Sequence, residues 1–331
     1  MTEPTLEPTT IIRHANAVFG PMAMLAGMEL DLFSVFDDGP HTIPEIAATI
    51  DADPDRLGLL LYALVSAELL TVENGVFANT AEADRYLISG KSGYMGGLSS
   101  LYRELWGAAM KTTATIREAK PQAAHDFAGM DETALGEFFA GTHPGALGAA
   151  QQLASRVDLS GCRKLLDAAC GSGGVGIGLC QAFSKLTATI ADLAPVAPIA
   201  NRFVNEAGLA ERVTVEAVDL IEQPPSGTYD VAVMRNLIQV LSAKEAADVI
   251  KNIGKTLEPN GILCILGWML DNSRTTPMNA VCHNLVFINF YDHGQAYTEG
   301  EHQKWLEAAG FRNAERHEMP GGYGLMTANK M

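Results

Sequence analysis

The residues of this chain best suited to chemistry are three carboxylates spaced through its second half, Asp167, Asp192 and Asp219. The first lies in Leu165-Leu166-Asp167-Ala168-Ala169-Cys170-Gly171-Ser172-Gly173-Gly174, an apolar strand running into a small-residue turn and then a helix. Ala169, Gly171, Ser172 and Gly173 let backbone N–H groups approach a ligand closely, and the helix N-terminus adds a positive partial charge. Asp192, 25 positions after Asp167, closes a second apolar run with Leu193 beside it. A carboxylate there can hold the two hydroxyls of a ribose. Asp219, followed by Leu220, ends a third apolar run and is placed to reach an adenine amino group.

A pyrophosphate-bearing dinucleotide wants Gly-x-Gly-x-x-Gly and an electropositive nest. The acid on the rim of this turn, Asp167, repels pyrophosphate and suits a cation. S-adenosylmethionine, a nucleoside carrying a sulfonium and an ammonium, fits the acidic row. A Gly-rich turn alone is equally compatible with plain strand–helix packing.

These residues need a sheet to line them up. Strands are expected at 163–168, 187–191, 212–217, 229–234 and 261–267, with helical patterns between them. Strand–helix alternation predicts an α/β, Rossmann-like doubly wound sheet whose ligand sits beyond the strand C-termini. The segment 311–331 is expected to add an antiparallel pair at its edge. Residues 91–158 read as helical and aromatic, with Tyr94, Tyr102, Trp106, Phe127, Phe138 and Phe139. Residues 10–90 read as short helices ending in a hairpin. Thr42 and Glu45 form a capping box there, Asp53-Pro54 opens the next helix, and Asn74-Gly75 supplies the turn. Leu57, Leu60, Leu61 and Leu64 form its core-facing stripe. Helix, helix, hairpin is a winged-helix order.

Charge excludes the usual use of a winged helix. Residues 1–90 hold three Arg and no Lys against fourteen Asp and Glu, a net charge of 3 − 14 = −11. Such a surface repels phosphates, and the net charge of −16 over 331 residues also argues against nucleic acid and anionic membranes as partners. Homodimerisation through the apolar N-terminal helices, Phe19 to Phe33, is the expected use; an intramolecular helical cap is the alternative. The five cysteines form no CxxC pair and are expected as buried thiols in a reducing compartment. Neither they nor the adjacent Asp292 and His293 make a metal site. No secretory leader or membrane-length apolar run is visible, so the expected address is the cytoplasm. The expected divisions are a winged-helix dimerisation domain at 1–105, a helical linker contributing to the substrate pocket at 106–158, and a cofactor-binding domain at 159–331.

Taken together, these motifs resemble the bacterial branch of the plant-type small-molecule O-methyltransferase family, class I by fold. The resemblance covers nearly the whole chain. It rests on the N-terminal pattern, the Asp167 turn, Asp192-Leu193, Asp219-Leu220 and Arg235 after the fourth strand. Leu257-Glu258-Pro259-Asn260-Gly261 and the run from Tyr297-Thr298-Glu299-Gly300-Glu301 to Ala309-Gly310-Phe311 complete it. It implies S-adenosylmethionine as cofactor, the acids and Arg235 as its contacts, a homodimer, and a small-molecule methyl acceptor. Ala169 replaces the first glycine of the family's turn.

O-methylating members of the family place a catalytic His four residues beyond the basic residue, and here Gln239 stands in that position. An amide cannot take a proton from a phenol near pH 7. Leu266-Gly267-Trp268 replaces the acid that would orient that His, and Glu301 remains at the second acid's place. Three readings follow. In the favoured one the acceptor is a thioether, which loses no proton on methylation, so alignment and desolvation suffice. The member that S-methylates 4-methylthio-2-hydroxybutyrate in dimethylsulfoniopropionate synthesis exemplifies it. Trp106, Tyr102 or Trp268 would then face the cations, and Arg103 or Arg274 the carboxylate. The second reading is O- or C-methylation of an acidic aromatic or keto-acid acceptor, or one using His143, His283 or Glu301 as base. The third is a regulatory protein that binds cofactor without transferring a methyl group. Candidate acceptor contacts are Tyr102, Trp106, His143, Gln239, Asn284 and Tyr291. Tyr102 and Trp106 fit a core as readily, and His143, beside Pro144, fits a loop anchor.

Overall fold

The computed structural model describes residues 6–91, 93–124, 130 and 132–331. Phe127, one of the aromatics singled out above, lies outside them. Two compact units divide the chain, the first ending at Glu104 and the second spanning Leu105–Met331. The helical segment expected as a linker therefore belongs to the second unit.

In the first unit, helices α1 (Thr9–Asn16) and α2 (Phe19–Glu29) precede a 3-10 turn at Leu32–Asp38. Strand β1 (His41–Thr42) leads into α3 (Ile43–Ile50), α4 (Pro54–Ser66), β2 (Leu70–Glu73), β3 (Val76–Asn79) and α5 (Ala81–Tyr86). Local signals act as expected. Thr42 and Glu45 cap α3 reciprocally, and the Asp53 carboxylate accepts the Arg56 N–H at 2.9 Å. Asn74 and Gly75 take φ of 51° and 79°, the left-handed pair that a two-residue hairpin requires. The three strands pair in the order β1-β3-β2 over a core of Leu32, Phe33, Ile46, Leu61, Leu64 and Phe77. The segment from Phe19 to Phe33 divides between two tasks. Ala23, Met28 and Phe33 face this core, whereas Phe19 is 66% exposed and Met22 also faces outward. Ile11 and Ile12 of α1 extend the exposed apolar surface.

The second unit begins within α6 (Ser99–Ala109) and continues through α7 (Thr112–Glu118) and α8 (Glu132–Ala154). It then alternates as β4 (Lys164–Ala168), α9 (Gly174–Ala182), β5 (Thr187–Asp192), α10 (Ala197–Glu206), β6 (Val213–Ala217) and β7 (Tyr229–Arg235). After these come α11 (Ala243–Gly254), β8 (Leu257–Leu270), α12 (Met278–Phe290), β9 (Tyr297–Thr298), α13 (Glu299–Ala308), β10 (Phe311–Glu318) and β11 (Tyr323–Lys330). The main sheet runs β10-β11-β8-β7-β4-β5-β6. The five central strands are parallel, and β11 and β10 add an antiparallel edge. Chain order reverses between β4 and β7, which opens a crevice at the carboxyl edge. The apolar runs bury fully: Leu165, Leu166, Ile190, Val231, Val233 and Cys264 are each 0% exposed.

The glycines of α9 serve packing. A Cβ on Gly174 would lie 2.7 Å from Ala146 Cβ, and one on Gly178 2.6 Å from Ala150 Cβ, so α8 seats against α9 nearly backbone to backbone. Two cysteines depart from expectation: Cys162 is half-buried and Cys282 is exposed, because α12 turns that face outward. Among the described residues no single helix is long and apolar enough to cross a membrane.

Candidate active site

The acidic edge is assembled from the ends of β4, β5 and β6. Asp167 is buried beneath the turn, and its carboxylate accepts the Gly176 N–H at 2.8 Å. Burial pushes its pKa up to about 7; the Gly176 hydrogen bond opposes this, the Asp192 charge adds to it, and the Arg235 guanidinium opposes it. Asp192 bridges the turn to its own strand end, accepting Gly171 N–H at 2.8 Å and Leu193 N–H at 2.7 Å. Burial raises its pKa too, against those two hydrogen bonds. Asp219 accepts the Ile221 N–H at 2.9 Å, which closes the loop after β6.

Between the ends of β5 and β6 lies a crevice of about 370 Å³, lined by Leu193, Pro195, Val196, Val218, Asp219 and Gln223 among others. It is apolar except for Asp219 and Gln223, which suits a flat heteroaromatic base with an exocyclic amine. Leu193 is exposed to it, whereas Leu220 turns into the core below α11, so only the Leu220 backbone is available there. Gln223 was not found by sequence reasoning. Its N–H meets the Asp219 carbonyl at 3.0 Å, one helical turn on, and that spacing was the available signal.

The turn itself is left-handed at three points: φ is 56° at Ala169, 55° at Gly171 and 72° at Gly173. At Ala169 this conformation carries the strain that glycine avoids. Above Gly171 lies the Phe139 ring of α8, 2.8 Å from where a Cβ would stand. His143 of α8 reaches the same turn. Its Nδ1 is 2.8 Å from the Ser172 hydroxyl, and its ring stacks on Phe203 at 4.2 Å. Burial lowers its pKa, and a distant Glu206 opposes that. His143 thus stands in mid-helix and anchors the connection between β4 and α9. Arg235 packs toward Gly145, its guanidinium 3.4 Å from a Cβ there. Among the described residues no hydrogen bond or ion pair engages Arg235.

At the ends of β7 and β8, the position four residues beyond Arg235 carries an amide, Gln239. Gln239 is 4% exposed, and its amide N–H₂ donates to the Asn236 side chain at 3.0 Å. Its amide oxygen fills the place of a side chain at Gly267, where a Cβ would lie only 2.5 Å away. The amide and the glycine thus fit one another.

The other candidates each have structural partners. Glu301 caps α13, taking the Thr298 N–H at 2.7 Å, and pairs with Arg274 at 2.7 Å; these contacts lower its pKa although burial, the largest influence, raises it. It therefore orients no base, and Arg274 is already neutralised. Arg103 is likewise paired, with Glu29, and Tyr102 packs on the first unit's core. Trp268 packs with two other rings, His283 stacked on it at 4.4 Å and Tyr323 tilted against it at 4.4 Å. The Asn284 amide oxygen accepts the Ala296 N–H at 2.7 Å, anchoring the loop after α12, and Tyr291 packs at that helix's end. Trp106 is half-buried on α6 in the second unit. A buried amide that sequence reasoning missed, Asn289, ties α12 to α7 through Thr112 and Thr115.

An open, doubly wound α/β sheet with a glycine-rich turn and three carboxylates along its carboxyl edge defines a Rossmann-like fold. The comparisons narrow the class. Residues 110–312 match the O-methyltransferase domain model, and residues 12–89 match the O-methyltransferase dimerisation domain model. The chain belongs to the O-methyltransferase family and is a methyltransferase. Among curated relatives, it is 26% identical to the 3-hydroxy-5-methyl-1-naphthoate 3-O-methyltransferase of Streptomyces sahachiroi, over 98% of this chain and 95% of that one. It is 25% identical to the N,N-dimethyltransferase OxyT of Streptomyces rimosus, over 99% and 98%. The solved structure of human N-acetylserotonin methyltransferase in complex with SAM shares the fold. Its TM-score is 0.81 at 19% identity, with 100% of this chain and 99% of that one covered.

Proposed function

We propose that this protein transfers a methyl group from S-adenosylmethionine to a small molecule without a protein general base. The observation that carries the reading is Gln239, an amide held by Asn236 and fitted to Gly267 where a proton-abstracting side chain would stand. The donor is held by the acidic edge. Asp192 takes the ribose hydroxyls, Asp219 and Gln223 read the base in the crevice beside Leu193, and the turn from Ala169 to Gly173 lies along the amino-acid portion. Asp167 and Arg235 set the charge beneath it. When bound, the donor supplies an electrophilic methyl group and a good leaving group. The chain's residues align the acceptor and exclude water.

The acceptor must carry a nucleophile that needs no enzymic deprotonation. A thioether such as 4-methylthio-2-hydroxybutyrate meets that demand, but its carboxylate would have to find a cation other than Arg103 or Arg274, both already paired. An aromatic acceptor with an acidic hydroxyl meets it too, and the relative acting on a hydroxynaphthoate across nearly the full chain favours this class. The exposed apolar residues of α1 and α2, including Ile11, Ile12 and Phe19, are assigned to a homodimer contact.

The test is incubation with methyl-labelled S-adenosylmethionine and a panel of aromatic hydroxyl compounds, thioethers, amines and keto acids. Transfer of label to at least one aromatic hydroxyl compound is expected. Label passing only to thioethers would reverse the acceptor assignment, and no transfer to any member would refute the reading.

A further inference from the structure

Resting on the methyl-transfer reading above, we infer that His283 is a specificity-determining residue, an imidazole nitrogen of which hydrogen-bonds an oxygen of an aromatic methyl acceptor.

The first argument is position. In the parallel register Leu266 of β8 is level with Arg235 of β7, and Trp268 stands two residues further along. Strand alternation puts Trp268 on the same sheet face as Leu266 and Cys264, the face shared with Val231 and Val233. Trp268 is thus at the carboxyl edge, directly after the glycine that accommodates Gln239. The His283 ring lies flat against it, at 4.4 Å and 19°, and Phe287 meets the imidazole edge-on at 4.9 Å.

The second argument is what the ring lacks. His143 bonds Ser172, and the deeply buried His302 places Nδ1 2.9 Å from the Thr298 carbonyl. Among the described residues, neither nitrogen of His283 has a hydrogen-bond partner, and neither is sealed from small molecules. An apolar ligand that displaced water from these nitrogens would leave them unpaired, whereas an acceptor oxygen would replace the lost hydrogen bond.

The third is protonation. Burial pushes the His283 pKa down to about 4, with no charged neighbour contributing. At neutral pH the ring is uncharged, with one N–H to donate and one lone pair to accept. It is too weak a base to ionise a phenol, yet suited to orient a hydroxyl or carbonyl oxygen against aromatic walls. Binding pockets commonly combine apolar lining with a few such polar groups.

The test uses the full chain with S-adenosylhomocysteine present and measures calorimetric affinity for 2-naphthol and 2-methylnaphthalene, which differ in the oxygen. The wild type is expected to prefer 2-naphthol by about tenfold or more, as for a site whose polar group is otherwise left unpaired. His283→Phe, which keeps a flat ring on Trp268, is expected to reduce that preference to within twofold while leaving S-adenosylhomocysteine affinity unchanged. No preference in the wild type, or a preference that survives in the variant, would overturn the inference. These affinities are read without turnover, so a failure of methyl transfer in the labelled panel is distinguishable from a failure here.

Discussion

At the ends of β4, β5 and β6 the sheet presents Asp167, Asp192 and Asp219, each bonded to backbone N–H groups of the turns they shape. At the ends of β7 and β8 it presents Gln239, Gly267 and the Trp268–His283 stack, and burial keeps the His283 imidazole uncharged at neutral pH. One sheet therefore carries two kinds of recognition side by side. The half at β4, β5 and β6 offers carboxylates and ordered N–H groups, and the half at β7 and β8 offers an amide, aromatic rings and an imidazole. On the reading proposed above, the contrast means that the methyl group is activated from the donor's side.

Breaking the donor half should have the largest effect. Asp192→Ala removes the acceptor of two backbone N–H groups, each a charge-assisted bond worth about 1.5–3 kcal/mol. Donor affinity measured by calorimetry is expected to fall about thirtyfold or more, and an unchanged affinity would show that the turn is held by other means. Asp167 gives the pH signature. Its folded-state pKa, about 7, lies above its unfolded value of 3.8, so the stability it contributes to the ligand-free protein is fully present below about 4 and lost as pH rises through 7. A cationic donor favours the ionised form, so donor affinity is expected to rise from pH 6 to 8, and Asp167→Asn should flatten that rise.

The acceptor half is sharpened by Gly267→Ala. The added Cβ meets the Gln239 amide oxygen at 2.5 Å and is expected to cost about 1–3 kcal/mol in chemical denaturation. A neutral substitution would mean that Gln239 can move, and with it the claim that its amide is fixed. The smallest effect is a gain. Ala169→Gly relieves a left-handed residue at φ 56° and should stabilise the protein by about 0.5–1 kcal/mol, seen as a higher denaturation midpoint.

The donor half was the more legible in sequence because it is local. Strand, turn and helix follow one another in the chain, and each acid terminates its own apolar run. The capping box at Thr42 and the Asn74-Gly75 turn were readable for the same reason. Leu220 misled because the residue after an acid at a strand end can turn either way, and here the core below α11 claims it. The acceptor half is built from segments distant in sequence. Nothing in the run Leu266-Gly267-Trp268 announces that Gly267 makes room for Gln239, or that His283 lies on Trp268. Arg103, Arg274 and Glu301 looked available because their ion-pair and capping partners appear only on folding. His143 was legible as a loop anchor, but that the anchored segment is the turn after β4 appears only on folding, with Pro144 accommodated inside α8.

The central claim is most directly tested by the pH dependence of kcat at saturating donor, measured across acceptors of graded acidity. Without an enzymic base, the inflection is expected to move with the ionisation of each hydroxyl acceptor and to vanish for acceptors that carry no ionising proton. An inflection near pH 6–7 that stays fixed whichever acceptor is used would contradict the account.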